Sequence, residues 1–161
     1  DGGLTLDRGT CWVDVEALHA CFARAETVLR SACNESDVDA IAARILALYT
    51  GPFLDGDESY PPIIAARDRL RARFLRQLSA LASRHEENGQ WAKAAEIYRR
   101  ILEQDVLAED IYRRVIRCYL KQGLRAEAFE AYRRCRENLS IILGIRPSEE
   151  TEALARQLRA A

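Results

Sequence analysis

The sequence of 161 residues is long enough for one domain with a sizeable core, so neither disulfides nor a metal are needed to hold it together. Apolar residues make up 48% and charged residues 30%, which excludes a disordered chain and is typical of a globular protein. No apolar run approaches the roughly 20 residues of a membrane span, so we expect no membrane partner and a cytoplasmic location.

The net charge of −1 conceals an uneven distribution of charge. Residues 1–60 carry 4 basic and 11 acidic side chains, whereas residues 61–136 carry 17 basic and 10 acidic ones. This asymmetry is mild and does not by itself predict nucleic-acid binding. The five cysteines include no Cys-x-x-Cys pair, which favours reduced thiols. Because the chain has no signal peptide and no Met, we interpret it as a fragment.

Helical periodicity begins at residue 13, where apolar residues start to recur every three to four positions. Asp14 is the expected N-cap of the first helix. Ser36 and Asp39 resemble a capping box that opens the second helix, and Gly51-Pro52 ends it. Before these helices, residues 4–13 alternate around a turn and are predicted to form a short β-hairpin.

The third helix is predicted from Pro61-Pro62 to about Asn88, since proline suits a first helical turn. Glycines at 89, 123 and 144 mark helix ends, because glycine adopts the left-handed conformation at little cost. Further helices are predicted over residues 91–103, 108–122, 125–143 and 148–160. The total is seven helices.

The sequence repeats itself with a period of 34 residues, which is the tetratricopeptide period. The predicted fold is therefore all-α, a tetratricopeptide-like right-handed superhelix of three helical hairpins plus a C-terminal capping helix. Helices one and two form the first, degenerate hairpin. The matched pairs are Leu78 with Tyr112, Leu81 with Val115, Ala82 with Ile116, His85 with Tyr119, Gly89 with Gly123, Ala94 with Ala128, and Tyr98 with Tyr132.

Two sets of polar residues are candidate contact sites. The helical offset from the core stripe places one set on the predicted concave face, where it suits an acidic partner. The second set is a basic strip on the third helix that suits DNA phosphate or another domain. For both, the alternative is an ordinary solvated helix face. The concave-face set is Arg76, Ser79, Ser83, Arg113, Arg117 and Lys121, and the basic strip is Arg69, Arg73 and Arg76.

Catalytic patterns are missing from the sequence. The two histidines, His19 and His85, accompany no metal-ligand cluster, glycine-rich phosphate loop or Gly-x-Ser-x-Gly motif. His19 and Cys21 are two positions apart on a helix, so their side chains point in directions about 200° apart and cannot pair. We therefore expect no enzyme activity, no cofactor and no metal.

Five segments of the chain carry a resemblance to a known family: 12–15 (WVDV), 48–54 (LYTGPFL), 65–70 (AARDRL), 108–114 (AEDIYRR) and 143–151 (LGIRPSEET). In this order they resemble the bacterial transcriptional activator domain of antibiotic regulatory proteins and their relatives. The segments at 48–54 and 143–151 are the most specific, because ordinary tetratricopeptide arrays lack both. One departure is Val106, where many relatives carry proline.

The resemblance implies a division of labour within a larger regulator. Residues 1–12 are similar to the tail of a preceding winged-helix module, which would bind the DNA, and residues 13–161 form the helical-repeat domain. That domain is expected to mediate dimerisation, interdomain signalling or contact with the transcription machinery. If it mediates dimerisation, the regulator forms a homodimer. The alternative is a peptide-binding tetratricopeptide adaptor unrelated to transcription.

Overall fold

The structure is a computed structural model that describes residues 13–31, 34–51, 53–54 and 61–160, with the backbone alone for 159 and 160. Over this part of the chain it contains seven α-helices, a π-helical turn and no strand, which confirms the all-α class. The predicted hairpin and the predicted tail, up to residue 12, lie outside the described residues. The helices are α1 Asp14–Arg30, α2 Glu35–Leu48, α3 Pro61–Glu87, α4 Trp91–Gln104, α5 Glu109–Lys121, α6 Arg125–Asn138 and α7 Glu149–Ala160; the π-turn is Leu139–Leu143.

The chain divides into two compact units, Asp1–Phe74 and Leu75–Ala161, and α3 contributes residues to each. In the first unit α1 packs against α2. Their apolar stripes supply fully buried side chains such as Phe22 and Ile45, each contributing roughly 1.5–3 kcal/mol of hydrophobic stabilisation. The Tyr49 ring stacks on Phe74 with 4.0 Å between centroids. No helix among the described residues is long and apolar enough to cross a membrane.

The second unit contains the 34-residue repeat, and its turns repeat in detail. Gly89 and Gly123 both adopt positive φ, 72° and 76°. In both turns the next residue donates its N–H to the carbonyl four positions before the glycine, at 2.8 Å from Gln90 and 2.9 Å from Leu124. These are Schellman helix ends, which require the left-handed conformation that glycine adopts most easily. The predicted helix stops are confirmed.

The predicted caps of the first two helices are wrong. Val13 has the extended conformation of an N-cap (φ −120°, ψ 119°), so α1 begins at Asp14, whose carboxylate accepts a bond from the neighbouring Val15 N–H at 2.7 Å. Asn34 is the N-cap of α2 and makes no side-chain cap bond, which leaves Ser36 inside the first turn. The acidic residues of these first turns stabilise the helices through the macrodipole instead.

The sixth helix is shorter than predicted. It ends at Asn138, and the chain continues through the π-turn to Gly144, which has a φ of 66°. Leu139 at the start of the turn is buried, at 3% exposure. The mostly apolar run 139–143, interrupted only by Ser140, is compatible with either helix type, so periodicity could not distinguish the two.

Candidate interaction surface

Arg113 on α5 is the most heavily bonded residue of the predicted concave-face set. Its guanidinium donates to the hydroxyls of Ser148 at 3.3 Å and Thr151 at 3.2 Å. It also forms ion pairs with Glu109 at 3.6 Å and Glu150 at 3.3 Å, and its side chain is only 17% exposed. The donors of Arg113 are therefore directed to α7 and the segment before it, which leaves little of this group for a partner.

Glu109 completes this cluster from the first turn of α5. Its carboxylate accepts two bonds from Ser148, from the backbone N–H at 2.7 Å and the hydroxyl at 2.6 Å. Burial alone would raise the pKa of Glu109, but the bonds from Ser148 and Thr151 and the charge of Arg113 lower it below the usual value. The contact joins the two segments at 108–114 and 143–151 that carried the family resemblance.

A second cluster forms around Arg114, which the sequence analysis did not select. Its guanidinium donates to Ser83 at 3.2 Å, Glu86 at 3.0 Å and the Tyr98 hydroxyl at 3.1 Å. Ser83, a predicted partner contact, also bonds Tyr98 at 3.3 Å. Burial raises the pKa of Tyr98 to about 12. Burial also raises the pKa of the neighbouring Cys118 thiol to about 12, and the charge of Glu86 adds to that increase. Arg114 thus ties α5 to α3 and α4.

The remaining members of the concave-face set stay accessible in the second unit. Arg76 and Arg117 are exposed, and Ser79 is half-buried. Arg117 has no ion-pair partner among the described residues. Lys121 is exposed and its ammonium lies 5.8 Å from the centre of the Trp91 ring. Arg117 and Lys121 lie one turn apart on α5, so we call this pair the α5 cation pair.

The model of one protein family, the bacterial transcriptional activator domain, matches residues 13–159. The chain belongs to this family. The match covers all seven helices except the last residue of α7, and it confirms the resemblance that the sequence motifs indicated. A search of curated proteins found no match to the chain.

The basic strip of the activator domain is partly occupied by internal contacts. In the first unit, Arg73 forms an ion pair with Glu26 at 3.0 Å and its guanidinium lies 5.2 Å from the centre of the Phe22 ring. Arg69 in the same unit is exposed, as is Arg76 in the second. One of the three guanidinium groups is therefore held by its own unit.

The second unit of the activator domain also has a groove of about 580 Å³ among α4, α5 and α6. Tyr112 and Val115 of α5 line it together with charged residues of both signs from α4 and α6, among them Arg99 and Glu130. No local sequence pattern predicts this groove, because it forms only where three helices meet. Among the described residues, no group of three or more His, Cys, Asp or Glu side chains is placed to hold a metal ion.

Proposed function

We propose that this chain is the regulatory protein-interaction domain of a bacterial transcriptional regulator and that it has no catalytic activity of its own. The observation that carries the proposal is the family match over residues 13–159. Its role is dimerisation, signalling to other domains of the same regulator, or contact with the transcription machinery. A cytoplasmic location belongs to the same proposal.

The α5 cation pair, Arg117 and Lys121, is the proposed contact surface, and its partner is an acidic segment. Arg113 and Arg114, which precede the pair on α5, support this choice. They bond to the elements on either side and so hold α5 in place. Cations on a helix that is already fixed lose less freedom when a partner binds. A carboxylate partner would complement both groups.

DNA recognition belongs, in this proposal, to a winged-helix module outside this chain. The pairing of Arg73 with Glu26 supports this division, since a guanidinium already engaged by a carboxylate contributes less to phosphate binding. The activator domain then acts on transcription without making the sequence-specific contacts.

The test uses the whole regulator and compares charge reversal of the α5 cation pair with a matched control. The variant carries Arg117→Glu and Lys121→Glu, and the control carries Arg24→Glu, an exposed arginine of α1 with no ion-pair partner among the described residues. We expect promoter binding in a gel shift to stay unchanged in both, while reporter transcription falls in the α5 variant alone.

Three results would refute the proposal. Sequence-selective binding of promoter DNA by the 161-residue chain alone would show that this domain recognises DNA itself. Full reporter activity of the α5 variant would show that its cations contact no partner. A transcription-independent role as a peptide-binding adaptor would leave reporter activity intact even when the whole domain is deleted from the regulator.

A further inference from the structure

Four large aliphatic side chains lie exposed together in sequence at the end of α6. Ile141 is 81% exposed, and Ile142, Leu143 and Ile145 are each about half exposed (52%, 51% and 50%). We call these four residues the π-turn patch. Scattered single apolar residues are normal on a protein surface, whereas a cluster of this kind marks an interaction site.

The π-helical geometry bears on the exposure of Leu143, one of the four patch residues. The turn is closed by bonds from the Gly144 N–H to the Ser140 carbonyl at 3.0 Å and from the Ile145 N–H to the Leu139 carbonyl at 3.3 Å. In a continuing α-helix, about 3.6 residues per turn would bring residue 143 back to the buried side of Leu139. In the wider π-turn Leu143 does not return to that side, and its side chain stays half exposed. Such turns are rare and recur at functional sites.

The charged residues nearest the π-turn patch in sequence that have no ion-pair partner among the described residues are positive. Arg136 lies one turn before it and Arg146 directly after it; both are exposed, and neither has an ion-pair partner among the described residues. Glu137 is the one acidic residue between Arg136 and Arg146, and its carboxylate lies 3.8 Å from Arg133. The patch is therefore an aliphatic centre with a cationic rim.

We propose that the π-turn patch docks an amphipathic helix of another protein or domain, whose apolar side is flanked by acidic residues. Aliphatic side chains would fill the centre, and carboxylates would pair with Arg136 and Arg146. A second copy of this chain fits less well, because a two-fold contact would bring the same cationic rims together. A membrane also fits less well, since the patch has no aromatic residue and only two cations. The proposal concerns a surface separate from the α5 cation pair and does not rest on it.

The test measures binding of a labelled synthetic helix with leucines on one face and glutamates along both edges of that face. Fluorescence anisotropy with the 161-residue chain is compared with a second peptide in which every glutamate is replaced by lysine. We expect the glutamate peptide to bind at least about tenfold more tightly, with a preference that weakens as salt increases. The charge reversal Arg136→Glu with Arg146→Glu should invert the preference.

The aliphatic centre is tested with Ile141→Gln, which should weaken binding of the glutamate peptide by about tenfold because it removes a buried aliphatic side chain from the complex. The matched control is Leu124→Gln, a partly exposed leucine (37%) just before the other end of α6, which should leave the affinity unchanged. An unchanged melting temperature in each variant shows that the fold is retained.

Three results would overturn the proposal. Equal affinity for both peptides, or no binding of either, would show that the cationic rim does not select an acidic partner. A dimer in sedimentation equilibrium that Ile141→Gln dissociates would assign the patch to a second copy. Binding to anionic phosphatidylserine vesicles that Ile141→Gln abolishes would assign it to a membrane.

Discussion

Ser148 donates both its backbone N–H, at 2.7 Å, and its hydroxyl, at 2.6 Å, to the same carboxylate oxygen of Glu109. Glu109 is the first residue of α5, and Ser148 is the residue before α7. The contact therefore fixes the start of one helix against the start of another that follows 40 residues later in the chain. With Arg113 bonded to both residues, this cluster is the polar anchor of α7.

The Glu109 carboxylate should make stability depend on pH in the acid range. Its pKa in the folded state is below the ordinary value of 4.5, so the unfolded chain takes up the proton more readily. The stabilisation is fully present above pH 4.5 and is lost as the pH falls through the folded-state pKa. We expect Glu109→Gln to lower the free energy of unfolding by about 1 kcal/mol at neutral pH. In urea unfolding, the difference from the wild type should shrink at about pH 3; a pH-independent difference would contradict this assignment.

Arg113 and Arg117 lie one turn apart on α5, but removing their charges should change the free energy of unfolding by different amounts. Arg113→Met should cost about 2 kcal/mol of unfolding free energy, because it removes the guanidinium that bonds Ser148 and Thr151 and pairs with Glu109. Arg117→Met should stay within about 0.5 kcal/mol, since that side chain is exposed. Thermal unfolding followed by circular dichroism checks both, and equal losses would contradict the structural role given to Arg113.

Gly123→Val should destabilise the second unit by about 1–3 kcal/mol, because a β-branched residue is strained at positive φ. Apart from the glycine and its two chain neighbours, no residue has an atom within 4 Å of the position that a new Cβ would occupy, so the cost comes from the backbone conformation and not from a clash. The matched control is Gly51→Ala, which has the same open surroundings without a positive φ and should be nearly neutral. An unchanged melting temperature for Gly123→Val would contradict the prediction.

The cysteines should differ sharply in their reactivity. Cys118 and Cys135 are fully buried, and burial raises the pKa of each to about 12, whereas Cys21 is partly exposed. In a variant with Cys11→Ser and Cys33→Ser, Ellman's reagent at neutral pH should modify one thiol quickly. The other two should react only at the rate of unfolding, because the thiolate is the reactive form. Rapid modification of all three would show that the second unit opens easily.

Periodicity, proline and glycine were sufficient to predict seven helices, their approximate ends and the 34-residue repeat. These features are local, since a stripe every three to four residues and a left-handed helix stop depend only on neighbours in the chain. The caps at Asp14 and Ser36 were predicted wrongly because the position of a cap does not depend on neighbouring residues alone. Side-chain preference at a cap is weaker than the backbone conformation that the surrounding packing imposes at Val13 and Asn34.

The candidate site was predictable only in part. Helical offset placed Arg76, Arg117 and Lys121 at accessible positions, as the structure also does. The same offset could not distinguish Arg113, which bonds α7, from Arg117, because the difference depends on partners 35 or more residues away.

The sequence by itself determined the family, the helical class and the places where helices stop, because each depends on motifs and on patterns within a few residues. Only the tertiary structure decided which arginines are engaged internally, since hydrogen bonds such as Arg113 to Ser148 exist only when distant helices meet. It also decided that a π-turn follows Asn138 and leaves Leu143 half exposed, because the choice between α and π geometry over residues 139–143 follows from packing and not from pattern.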